Sequence, residues 1–151
     1  MSQDESRLDQ FTDDLQATIL REALERYGPT VVDHWMNPRR WGPMEKPDGF
    51  ARYKGPCGDT MQVWLRIAEG RIEDASFMTD GCGSAIASGS AVAALARGKT
   101  IEEAELVDQD AVLEFLGGLP DEDRHCALLA ARTLSRALGF FRSRISQKNT
   151  G

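Results

Sequence analysis

The sequence predicts an α+β fold: a three-stranded antiparallel sheet packed against several helices, with an extra helix at the N-terminus. Three observations predict it. Apolar residues recur at helical spacing over residues 8–24 and again through the last third of the chain. Between them, Met61, Val63, Leu65 and Ile67 alternate with Gln62, Trp64 and Arg66, the period of a strand with one buried face. Glycine and proline punctuate the junctions, and the resulting order of helices, strands, then helices gives segregated layers rather than alternating βαβ units.

The elements follow in order. Leu8, Phe11, Leu15, Ile19, Leu20, Ala23 and Leu24 carry the first helix, ended by Gly28 and Pro29. Its stripe Leu8, Phe11, Leu15, Ile19 has to be buried on this domain or on a partner subunit, the face carrying Trp64 being one place for it. Pro29 suits the first position of a second helix through Val31, Val32 and Trp35, stopped by Pro38. His34 on that helix reads as a hydrogen-bonded structural histidine. Residues 37–50 hold three prolines and two glycines and form an ordered loop. Residues 58–79 read as a hairpin turning at Ala68 to Gly70, with Ala75, Phe77 and Thr79 on the returning inner face. "GFARYKG" (49–55) adds an edge strand. A helix runs from Gly83 to Arg97, with Gly98 as its stop. Thr100 and Glu103 form the capping box of a short helix, Asp110 caps "AVLEFL", and Gly117, Gly118 and Pro120 break the chain before a long helix over 121–144.

With 151 residues and 41% hydrophobic content the chain suits one domain. Its net charge of -6 argues against nucleic acid as a partner. No apolar run approaches the ~18 residues of a membrane span, and the polar, acidic start is unlike a signal peptide. These features predict a cytoplasmic protein with no membrane partner.

The three cysteines stand in special contexts. Cys57 lies in "GPCGD", and Asp59, two residues on, would face the same way in an extended chain. Cys82 lies between two glycines where a strand ends and a helix begins, a place that favours the thiolate. A phosphate-binding loop is disfavoured there, because the third glycine of GxGxxG would fall on Ile86. Cys126 follows His125 near the start of the last helix, where neighbours point about 100° apart. Cys57, Asp59, Cys82, His125 and Cys126 together suit Zn²⁺ or an iron–sulfur cluster. A Cys/His thiol enzyme fits less well, since no third group to orient His125 is apparent.

"CGDTM", "GCGSAIASGS" and "HCALLA", with "YGPTVVDHWMNPRRWG" before and "GKTIEEAELV" between, resemble the NifU/IscU-type iron–sulfur cluster assembly scaffold. The likeness covers nearly all of Tyr27 to Phe141, and "FLGGLPDEDRHC" is closer to the N-terminal domain of NifU than to IscU. The resemblance implies a scaffold, not an enzyme. Cys57, Asp59, Cys82, His125 and Cys126 would bind the cluster, and Cys126 would accept sulfur from a cysteine desulfurase. A [2Fe–2S] or [4Fe–4S] cluster would then pass to apo iron–sulfur acceptor proteins, and Zn²⁺ could occupy the same ligands in the protein as purified. For sulfur acceptance, the helix dipole favours Cys82. The "GGLP" break, which should leave the start of the last helix accessible, agrees with the family in favouring Cys126.

The chain departs from the family in two places. Residues 1–26 form an N-terminal helical extension before a scaffold domain of residues 27–145 and a tail of residues 146–151. Asp123 replaces a lysine common in the family, which argues against docking by the dedicated Hsp70-type chaperone. The alternatives are a SufU-like zinc-dependent sulfur acceptor, which would carry an insert before its last cysteine and lack the histidine, and a zinc-stabilised interaction module without cluster chemistry.

Overall fold

The alternation read over residues 61–67 forms the central strand of an antiparallel sheet. The computed structural model describes residues 3–150. Strands β1 (Gly49–Lys54), β2 (Thr60–Ala68) and β3 (Arg71–Thr79) lie in the order β1-β2-β3. Met61 pairs with Thr79, Val63 with Phe77 and Leu65 with Ala75, which puts the apolar set on one face. Glu69 and Gly70 alone make the hairpin turn, both at positive φ (55° and 76°), the geometry that matches strand twist. Ala68 therefore belongs to β2 rather than to the turn. A register shift between Arg66 and Ile67 marks a bulge that the sequence pattern does not announce.

Among the described residues six α-helices surround the sheet: α1 (Gln3–Tyr27), α2 (Pro29–Met36), α3 (Gly83–Ala96), α4 (Ile101–Ala104), α5 (Gln109–Leu116) and α6 (Arg124–Thr150). α6 lies across β1 and β2, α3 lies across β3 and against α6, and α2 and α5 pack outside them. Met61, Leu65, Phe77, Val92, Leu134 and Leu138 fill the core between these layers. The outer edge of β3 is capped by two loops. The Phe77 N–H donates to Arg40 O (3.1 Å) and Gly42 N–H to Phe77 O (3.0 Å), while Ile72 N–H donates to Lys99 O (2.8 Å). These bonds occupy an edge that would otherwise template pairing with another chain.

Three expectations need correction. Asp108, not Asp110, caps α5: its carboxylate accepts from Ala111 N–H at 2.9 Å. The last helix begins with a 3-10 turn at Asp121–Asp123, becomes α-helical at Arg124, and runs without a break past residue 145 to Thr150. Gly151, the end of the expected tail, lies outside the described residues. Finally, α1 does not cover the Trp64 face. It packs on α2, and Leu8, Phe11, Leu15 and Ile19 stay exposed.

The glycine and small-residue run has an internal use. A Cβ at Gly89 would lie 2.3 Å from the Phe77 ring, and one at Gly83 would lie 2.6 Å from the Trp35 ring. The absence of side chains lets α3 approach β3 and α2 closely. That packing, rather than free space around the sulfur, is what the small residues supply.

Candidate metal site

Three chain segments meet at one end of the sheet. The first is the loop joining β1 to β2. It is a tight turn, with Gly58 N–H donating to Gly55 O (3.0 Å), Gly55 N–H donating to Asp59 O (2.9 Å), and Gly58 at φ 97°. Cys57 and Asp59 are brought together by this turn, not by an extended chain as expected. The second is the end of β3 and the start of α3, where Cys82 is the N-cap residue. Thr79 Oγ1 donates to Thr60 O (2.7 Å) and accepts from Gly81 N–H (3.1 Å), which fixes the approach to Cys82. The third is the first turn of α6, with His125 and Cys126.

All five candidate residues come together. One ligand atom from each of Cys57, Asp59 and His125 lies within 4.8 Å of the other two, and the same holds for Asp59, Cys82 and Cys126. Asp59 is common to both groups. The angular separation of neighbours on a helix explains the split: His125 turns toward Cys57 and Cys126 toward Cys82. The His125 ring still reaches back, with Nε2 3.7 Å from Cys126 Sγ. Cys57 and Cys82 are exposed, as free thiols, while Cys126 is 0% exposed. Burial pushes the Cys126 thiol well above its ordinary pKa, and Cys82, Asp123 and Asp59 add to the effect as neighbouring negative charges. The accessibility ground for choosing Cys126 as sulfur acceptor is therefore overturned. The start of α6 is exposed at Asp121, Glu122, Arg124 and His125, as the "GGLP" break suggests, but Cys126 lies on the inward face of that turn with Ala127, Ala130 and Leu134. A bound cation would reverse the electrostatic balance at this thiol.

Other side chains hold this end of the fold. Ser84, buried in the first turn of α3, donates to Asp123 Oδ2 at 3.1 Å, a tie between the Cys82 and Cys126 segments that sequence reasoning did not find. In sequence Asp123 reads as a departure from the family's lysine and as an acid suited to a helix start, with no sign of a partner in α3. His34 Nδ1 lies 2.7 Å from Ser90 Oγ, which also accepts from Arg39 N–H at 2.8 Å. Burial depresses the His34 pKa, and the Arg39 charge adds to that. It is a structural histidine held by Ser90, and it belongs to neither triad.

Residues 26–148 match the family model of the NifU-like N terminal domain. The chain belongs to that family. Among curated proteins this NifU-type chain is 47% identical over 113 residues to the iron-sulfur cluster assembly scaffold protein IscU 1 of Archaeoglobus fulgidus, covering 74% of each chain. It is 38% identical over 127 residues to the scaffold protein IscU of Escherichia coli, covering 81% of this chain and 98% of that one. Among solved structures, the N-terminal part of a nitrogen-fixing NifU-like protein from Brucella abortus aligns at TM-score 0.67 and 20% identity, over 80% of the NifU-type chain and 97% of the other. A SUF-system scaffold candidate from Fervidobacterium islandicum aligns at TM-score 0.62 and 22% identity, over 77% and 98%. These two structures share its fold.

Proposed function

We propose that this chain is a scaffold on which an iron–sulfur cluster is assembled and from which it is handed on, the cluster being cargo rather than a resident cofactor. One observation carries the reading. Three thiols, a carboxylate and an imidazole from three segments converge in two triads sharing Asp59. Three sulfur donors suit iron in a cluster, and the oxygen donor in their midst is harder and more readily exchanged. The curated relatives named as IscU scaffolds support the same reading.

In this proposal Cys57, Cys82, Cys126, Asp59 and His125 hold the cluster within a domain starting near residue 27. Sulfur comes from a cysteine desulfurase and the product passes to apo iron–sulfur proteins. The chain binds and releases its cargo without acting as an enzyme, and three free thiols suit the reducing cytoplasm. Cys126 receives sulfur once the site opens, while Cys57 and Cys82 meet a donor first. The cluster is of [2Fe–2S] or [4Fe–4S] type, and Zn²⁺ is a competing occupant of the same donors.

Anaerobic reconstitution with iron, cysteine, a desulfurase and a thiol reductant that takes persulfide sulfur to sulfide tests this. A visible sulfur-to-iron charge-transfer spectrum that transfers to an apo-acceptor is expected. A protein that binds only Zn²⁺ and gives no chromophore would be an interaction module instead.

A further inference from the structure

The N-terminal helix α1 carries a surface that this domain leaves unused. It has 25 residues, about 38 Å at 1.5 Å per residue, and packs on α2 alone among the substantial element contacts. Leu8 is 66% exposed and Phe11 64%, with Leu15 and Ile19 following on the same face. The stripe runs into an apolar groove of about 610 Å³ between α1 and α2, where Ile19 and Leu20 face Trp35 and Met36. A contiguous apolar surface of this kind marks an interaction site.

We infer that α1 pairs antiparallel with α1 of a second copy of this chain, about a two-fold axis near Leu15. Area is the first ground. At roughly 200 Å² for a large side chain, the exposed fractions of Leu8, Phe11, Leu15, Ile19, Trp35 and Met36 amount to on the order of 700 Å² per copy, close to the ~800 Å² per partner of a specific interface. Charge is the second. Residues 3–14 hold five acids and one arginine, whereas residues 15–27 hold two arginines and two glutamates. A parallel pair would set two strongly acidic halves side by side. An antiparallel pair sets each acidic half against a balanced one, and opposes the helix dipoles. With Leu15 at the axis, Phe11 meets Ile19 of the other copy, and Arg7 comes near that copy's Glu22 and Glu25. An isologous contact of this kind is self-complementary and closes at two copies.

The test is the solution mass of the full chain by sedimentation equilibrium at micromolar concentrations. A mass of twice 16.7 kDa is expected. Phe11→Gln with Leu15→Gln, neither in the cluster site, should raise the dimer dissociation constant by at least about tenfold while far-UV circular dichroism and cluster assembly persist. Arg7→Glu should weaken the dimer, and Glu22→Arg with Glu25→Arg in the same chain should restore it. A monomer at every concentration overturns the inference and leaves the stripe to a different protein. A dimer untouched by Phe11→Gln/Leu15→Gln places the contact elsewhere and overturns it too, as does failure of the charge swap to restore pairing.

Discussion

Gly81 links the packing of this fold to its site, and Gly81→Ala measures that link. Its backbone lies outside the positive-φ region, so alanine is conformationally acceptable and only space is at issue. An added Cβ would sit 2.6 Å from Ala85 Cβ and 3.0 Å from Asp59 Oδ2. Carbon atoms prefer about 3.5–4.0 Å, so the overlap with Ala85 is about 1 Å. Ala85 is fully buried at the start of α3, and relief requires that helix start to move. Overpacking of this kind costs about 1–3 kcal/mol. For a domain of this size the midpoint should fall by roughly 2–12 °C. The second contact is chemically more telling, because it pushes on the carboxylate common to both triads. Displacing an oriented ligand typically loses about 10–100-fold in metal affinity, so Zn²⁺ binding measured by chelator competition should fall within that range. Gly98→Ala is the control: Gly98 sits at φ 84° with nothing within 4 Å of an added Cβ, so it should lower the melting temperature through backbone strain and leave Zn²⁺ affinity alone. A Gly81→Ala protein with parental melting temperature and parental affinity would refute the reasoning, as would equal affinity losses in both variants.

Four further outcomes are expected. In the metal-free protein, a thiol reagent should label Cys57 and Cys82 readily and Cys126 much more slowly, since burial both shields its sulfur and raises its pKa; mass spectrometry of the peptides reads this directly. The His34 pKa is depressed in the folded state, so the unfolded chain takes up the proton first. Stability should therefore fall as pH drops below about 6.5 toward the folded pKa, and denaturant midpoints should show a slope that His34→Gln reduces. Ser84→Ala removes the hydroxyl that donates to Asp123 and should cost about 1.5–3 kcal/mol by thermal melt, the range for a hydrogen bond to a charged group. Asp59→Ala should still permit a cluster on the three cysteines but slow its transfer to an apo-acceptor; an unchanged transfer rate would reduce Asp59 to a turn residue.

Strands were legible because burial on one face imprints a period of two that survives in any sequence, as Met61, Val63 and Leu65 show. The choice between Asp108 and Asp110 was not legible. Both are good caps, and only the direction in which the chain enters α5 decides which carboxylate meets Ala111 N–H. The candidate ligand set could be read as residue types in special contexts, but its division into two triads depends on where the α6 axis lies over the sheet. Burial of Cys126 was missed for the same reason. Glycines and a proline upstream describe a local break, whereas exposure is decided by the packing of Ala127, Ala130 and Leu134 further along the helix. The Ser84–Asp123 tie spans 39 residues, and no local pattern encodes it.

In the proposed scaffold, the distribution of the five candidate residues over three segments bears on how a cargo site would open. Cys57 and Asp59 belong to a hairpin loop, Cys82 to a helix cap, and His125 with Cys126 to a first helical turn. Each stands at the end of an element whose other end is anchored in the core by residues such as Val63, Val92 and Leu134. Element ends open at lower free energy than element centres. The site can therefore widen by small movements of its rims while the layers stay packed. Asp59 is the hinge of that geometry, since parting either triad from the other must cross its carboxylate. The loop bearing Asp59 also bears the exposed Cys57. In the proposed scaffold, a displacement of this loop would carry the shared oxygen donor away from Cys82 and Cys126, which lie within 4.8 Å of it, and would move the exposed Cys57 in the same step.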